Sequence, residues 1–312
     1  MLKRTIEISR EAAHLTTRHK QLQLKREGAV VGSVPCEDLG LVLVDHPGTT
    51  YTHNALTALL DANAALVVCG KDHLPKGILI PLSDHLEIVW RIDEQTSVSK
   101  PVRKRLWKQI VQAKIRAQAA NLTVDSVPHR KLLNYAQEVK VDDTTNREAV
   151  AARLYWSSWL VNCEGPDSVD TFRRDRDGDA PNNFLNYGYA ILRAAIARSL
   201  VASGLLPAIG IHHRNRSNAF CLADDLIEPF RPLVDAKARE LYFAGHTDLD
   251  QESKQILLDL LTETVVTADQ RGPLMVAINR MTSSLVQCFQ GKRKDLEIPV
   301  LCISADTEAC GS

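Results

Sequence analysis

Nowhere in its 312 residues does this sequence have the ~20 consecutive apolar residues of a membrane span. Its start, Met1-Leu2-Lys3-Arg4, runs straight into a polar-rich stretch without a hydrophobic signal core. The expectation is a cytoplasmic protein that is neither exported nor anchored. There is no excess charge of either sign: Lys plus Arg and Asp plus Glu both number 38. Overall charge therefore points to no polyanionic partner, and only local clustering can. Close cysteine pairs are missing too. Cys36, Cys69, Cys163, Cys221, Cys288, Cys302 and Cys310 are odd in number and scattered, which excludes a zinc ribbon and predicts reduced thiols. Internal repeats and low-complexity segments are absent.

What is present is a globular composition, 45% hydrophobic and 24% charged, in a chain long enough for two cores. Up to Ser83 the pattern is that of strands. Leu22 to Leu24, Leu39 to Val44, Ala65 to Val68 and Gly77 to Pro81 are strand candidates punctuated by glycines, with one short helix predicted over Asn54 to Asp61. From Asp84 the period becomes helical. Asp84 with Glu87 resembles a capping box, and Pro101 opens a helix in which Val102, Leu106 and Ile110 share a face. Further helices are predicted over Glu148 to Leu160, Asn183 to Ser203, Asp224 onward, Gln251 to Leu261 and Pro273 to Gln290. The expected fold is α+β: a β-rich N-terminal domain (1–83), a larger all-helical C-terminal domain (84–291), and a basic, mobile tail (292–312).

Three stretches could carry chemistry. In Gly210-Ile211-His212-His213 followed by Asp225-Leu226-Ile227-Glu228-Pro229-Phe230-Arg231-Pro232, two carboxylates three residues apart share a helix face and could bind a divalent cation through oxygen. On spacing alone, a solvated helix face is the commoner reason for such a pair. A nearby imidazole makes a mixed ligand set suited to Mg²⁺ or Mn²⁺, although a loop histidine is usually an ordinary surface residue. Glu148 opens an alanine-rich helix, where it is equally what the helix dipole favours. Lys100, Arg103, Lys104, Arg105, Lys108, Lys114 and Arg116 run without an acid around Trp107, which suits phosphate contact or the wet face of an amphipathic helix. Arg173, Arg174 and Arg176 form a second cluster, diluted by Asp175 and Asp177.

Taken together, these stretches resemble the CRISPR-associated endonuclease and integrase that inserts new spacers into a repeat array, in the version found with type II systems. The likeness runs through Leu2 to Ser9, Asn146-Arg147-Glu148 with Ala151 to Tyr155, Leu185 to Tyr189, and most strongly Gly210 to His213 and Asp225 to Pro232. It implies that Glu148, His213 and Glu228 are catalytic and hold Mg²⁺ or Mn²⁺, with Asp225 as an additional carboxylate in some branches. The adjacent His212 competes with His213, and counting from Gly210 favours His213. The resemblance further implies 3′-hydroxyl attack on a DNA phosphodiester, a homodimer, a small CRISPR-associated adaptation subunit as partner, and a prespacer duplex and repeat array as DNA. Lys100, Arg103, Lys104, Lys108, Arg173, Arg174 and Arg214 are the candidate DNA contacts. The alternatives are a non-catalytic DNA-binding scaffold of the same fold and a metal-dependent phosphohydrolase of small nucleotides.

Overall fold

The computed structural model describes residues 3–82, 86–160, 172–175, 178–267 and 270–300. Its first part is built on β5, Leu39–Val44, whose six residues LGLVLV are all buried. A continuous apolar run is what a strand covered on both faces requires. β5 is flanked in parallel by β1 (Arg4–Ile8) and β7 (Ala65–Cys69), with β8 (Pro75–Leu79) antiparallel at the edge, giving the order β1-β5-β7-β8. Alternation divides its residues between two cores. Val42, Val44 and Leu66 face a second sheet and helix α1 (His53–Asp61), whereas Leu41, Leu43, Ala65 and Val67 face the helices of the rest of the chain. The second sheet has the order β4-β3-β2-β6, from β2 (His14–Arg18), β3 (Gln21–Arg26), β4 (Ala29–Pro35) and β6 (Thr50–Tyr51).

The helical part comprises α2 (Ile88–Ser97), α3 (Lys100–Ala120), α4 (Val127–Glu138), α5 (Arg147–Ser158), α6 (Asn182–Ala202), α7 (Cys221–Ile227), α8 (Arg231–Phe243), α9 (Gln251–Asp259) and α10 (Leu274–Phe289). The mixed α+β class read from the sequence is the class observed. α6 is the hub, with fifteen of its 21 residues buried. It touches α8 so closely at Gly188 that a Cβ there would stand 2.5 Å from a Val234 methyl. Pro101 occupies the first turn of α3, where its missing N–H costs nothing. Asp84 lies outside the described residues, and Glu87 makes no side-chain cap of α2, pairing instead with Arg91 at 2.8 Å.

Two details differ from the expectation. The all-helical reading omits one hairpin, β9 (Thr264–Thr267) with β10 (Gln270–Pro273), whose β-branched run Thr264-Val265-Val266-Thr267 favours a strand. The stretch after Gly291 is also docked as far as Val300, which bridges to Val266 in both directions at 2.7 and 3.2 Å. Leu296 is buried, and its N–H donates to Gln109 on α3. Residues 301–312 lie outside the described part. Cys36, Cys69, Cys221 and Cys288 are free thiols, while Cys163, Cys302 and Cys310 are not described. Among the described residues, no helix is long and apolar enough to cross a membrane.

Candidate active site

Four helices and one loop meet around the residues singled out from the sequence. α5 begins after Asn146, and Asp143 fixes that start by accepting from the N–H groups of Arg147 and Glu148 at 2.8 and 2.9 Å. This cap sets the direction in which Glu148 leaves the helix. Glu228 stands at the joint between α7 and α8, where Pro229 and Pro232 each occupy a first helical turn. The two carboxylates converge on one cation, the ammonium of Lys114 from α3. Nζ lies 2.7 Å from Glu148 Oε1 and 2.5 Å from Glu228 Oε2. Lys114 and Glu228 are 12% and 7% exposed and Glu148 26%, so the group is shielded but reachable.

Burial alone would push the Glu228 carboxyl up. Lys114 and Arg231 outweigh that burial and hold it below the usual carboxylate range. Arg231 Nε is 3.0 Å from Glu228 Oε1, and its guanidinium lies 4.7 Å over the Tyr189 ring. Tyr189 in turn donates to Asp235, which also accepts from Tyr155 at 2.9 Å. Asp235 is fully enclosed, and burial pushes its carboxyl up to about 6. This chain from Asp235 through Tyr189 and Arg231 braces Glu228 from behind.

The histidine loop is wrapped around Asp225. Its Oδ2 accepts from the N–H groups of Ile211 and His212 at 2.6 and 2.9 Å, and its Oδ1 accepts from that of His213 at 3.1 Å. His213 Nδ1 is 2.6 Å from the same Oδ1, which raises the affinity of the imidazole for its proton. Gly210 is required by this wrap, since a Cβ there would lie 2.4 Å from the His213 carbonyl oxygen. Asp225 is wholly buried with both its oxygens engaged, and in this arrangement it orients His213. The two histidines have different surroundings. His212 stacks flat on Trp107, centroids 4.2 Å apart and planes 3° from parallel, whereas His213 meets Trp107 edge-on and keeps its other ring nitrogen uncommitted to Asp225.

Among the described residues, no three His, Cys, Asp or Glu side chains form a ready-made cluster for a metal ion, and Lys114 stands between the two glutamates. The donor types nevertheless fit Mg²⁺ or Mn²⁺: two carboxylates that already share one cation, with an oriented imidazole whose charge both of them sense.

The basic residues separate into classes. Arg103, expected among the DNA contacts, is engaged within the structure. Its guanidinium donates to the carbonyls of Gly210, Gln95 and Val98 at 3.0, 2.9 and 3.3 Å, tying α3 to the loop before His213. Arg174 is likewise engaged, by Asn182 and Asn186. Trp107 is core, 1% exposed, and not an interleaved stacking platform. Lys104 pairs with Asp142 at 2.8 Å on the surface. Lys100, Arg173, Arg214 and Arg216 are exposed and Lys108 is half-buried. Sequence reading placed Lys114 in the basic run and missed its position. The signal was present: Val102, Leu106, Ile110 and Lys114 are spaced by four, so Lys114 continues the apolar face, where an unpartnered charge is costly.

Comparison with known proteins matches residues 6–263 to the family described as CRISPR associated protein Cas1. The chain is 36% identical over 290 residues to the CRISPR-associated endonuclease Cas1 of Neisseria meningitidis serogroup C (strain 8013), covering 91% of this chain and 92% of that protein. It is 29% identical to a second such endonuclease from Pyrobaculum aerophilum, over 66% of this chain and 72% of the relative. Among solved structures, a casposase bound to integration product superposes with a TM-score of 0.76 at 18% identity, over 99% of this chain and 98% of that one. A CAS1 protein from Thermotoga maritima gives 0.74 at 17% identity, over 93% and 98%. A chain of a Cas6-RT-Cas1–Cas2 complex gives 0.72 at 18% identity, over 96% of this chain and 36% of that one.

Proposed function

The chain belongs to the CRISPR-associated Cas1 family, and we propose that it is a metal-dependent DNA integrase of the type II branch that inserts new spacers into a repeat array. The observation that carries this reading is the convergence of Glu148 and Glu228 on a single cation position beside His213. In the proposed reaction, the 3′ hydroxyl of a prespacer duplex attacks a phosphodiester of the repeat, and the displaced 3′ oxygen leaves. Glu148, His213 and Glu228 would hold Mg²⁺ or Mn²⁺, which when bound supplies Lewis-acid polarisation of the phosphate and charge stabilisation of the leaving oxygen. Asp225 holds His213 by Nδ1, so that the opposite nitrogen can serve as a ligand. Arg231 keeps Glu228 aimed and ionised, itself braced by Tyr189 and Asp235. Exposed Arg214, Arg216 and Arg173 would supply contacts to the DNA backbone.

The same reading includes action in the cytoplasm as a homodimer with a small adaptation subunit. A likeness to a chain of a Cas1–Cas2 complex, and to a Cas1–DNA complex at a TM-score of 0.52, supports the partner and the substrate class. Strand transfer of a labelled prespacer into a repeat-bearing plasmid, with Mg²⁺, tests the assignment. Glu148→Ala, His213→Ala and Glu228→Ala are each expected to lose joining by about 100-fold or more while duplex binding persists. Joining by His213→Ala at the wild-type rate would remove that residue from the site. Lys114 already occupies the position between the pair, and this is the observation that favours a non-catalytic scaffold as the second reading. A wild-type protein that binds duplex but joins nothing would establish the scaffold.

A further inference from the structure

Lys114 reaches the two glutamates from inside the apolar face of α3, between buried Ile110 and Ala117, and not from its wet side. Its ammonium lies 2.7 and 2.5 Å from one oxygen of each carboxylate. Without a cation there, two carboxylates would face each other across a shielded gap, one of them on a residue only 7% exposed. A divalent ion needs those same oxygens at ~2.1 Å. An ion at that position would stand within a few ångströms of the ammonium, where two positive charges repel strongly.

We infer that Lys114 is the internal counter-ion of this site: its ammonium holds the place of the divalent ion between Glu148 and Glu228, and the ion and the ammonium exclude each other. Lys114 is thus a positioning residue. It keeps the glutamates at their working separation in the metal-free protein and sets the concentration at which metal enters. This inference rests on the reading of Glu148 and Glu228 as metal ligands.

The test uses Mn²⁺ alone, with DNA-free full-length protein at one fixed pH, and reads unbound Mn²⁺ by electron paramagnetic resonance. Lys114→Met, which keeps the length and apolar stem of the side chain, is expected to bind Mn²⁺ at least tenfold more tightly than wild type. Its melting temperature is expected to be lower without metal and to rise more on adding Mn²⁺. A companion measurement needs no variant. Acetylation of wild type with an N-hydroxysuccinimide ester, mapped by mass spectrometry, should label Lys114 several-fold more when Mn²⁺ is saturating, with exposed Lys100 as the internal standard. Equal or weaker Mn²⁺ binding by Lys114→Met, or unchanged labelling of Lys114, overturns the inference. Mn²⁺ that binds neither protein overturns the metal reading as well, and is distinguishable from Mn²⁺ that binds both alike.

Discussion

Glu7 sits on β1 where the first sheet meets the helices, beside the buried pair of Asp45 and Lys254, whose charged atoms are 2.5 Å apart. Burial is the leading influence on it and pushes its carboxyl from the ordinary 4.5 up to about 6. The folded protein therefore holds this proton more tightly than the unfolded chain does. Stability contributed by Glu7 is complete below about pH 4.5, falls as pH rises towards 6, and is constant above it. Glu7→Gln keeps the shape and never ionises. Its melting temperature should match wild type below pH 4.5 and exceed it by a margin that grows to a plateau above pH 6. Thermal melts by circular dichroism from pH 4 to 8 check this, and a margin independent of pH would refute it. His213 shows the opposite design, because its carboxylate partner favours the charged form of the group it touches.

At the scale of elements, the crossing of α6 and α8 depends on a missing side chain. Ala is a better helix former than Gly by about 1 kcal/mol, yet the Cβ of Gly188→Ala would stand 2.5 Å from Val234 Cγ1. Overpacking of this kind costs about 1–3 kcal/mol, so the substitution is expected to destabilise. Combining it with Val234→Ala should recover part of the loss, and a double-mutant cycle from urea unfolding reads the coupling. The sequence announced elements in proportion to what they bury. β5 was legible because all six residues are apolar, and α3 because its apolar residues recur at four. β2 and β4 were not, since β2 buries only Leu15 and β4 buries none of its residues fully. They are held by pairing with β3, which leaves no hydrophobic period to read. α4 was missed for a similar reason, with only Leu132 and Ala136 buried. Glu148, His213 and Glu228 stood out as candidates in the sequence and took their roles from the resemblance, whereas Lys114 escaped because its nearer partner in sequence is 34 residues away.

For the whole molecule, the question is which basic surface meets DNA. Arg103 ties α3 to the backbone of Gly210 and Gln95, so its replacement would disturb folding as well as any phosphate contact. Lys108 and Arg214 lie on α3 and on the loop that Arg103 ties together, and Arg214 is exposed. Replacing both with Ala should weaken binding to two duplexes of unrelated sequence about equally. It should also flatten the dependence of log affinity on log salt by about 0.9 for each phosphate that is no longer neutralised. Fluorescence anisotropy across a salt series measures this, and an unchanged slope would move the DNA-binding surface to Arg173, Arg216 or the 292–294 run.

The docked stretch before Val300 bears on how the chain reaches this shape. Arg105 and Gln109 of α3 hold the backbone around Lys294 and Leu296, partners separated by up to 189 residues. During synthesis the flank of α3 that carries those residues stays bare until residues 294–296 have emerged. The helix that bears Lys114 is therefore among the first of the large helices to be made and among the last to be closed over. Pairings of such long sequence separation form slowly. Closure of that flank of α3 waits on the arrival of the late segment.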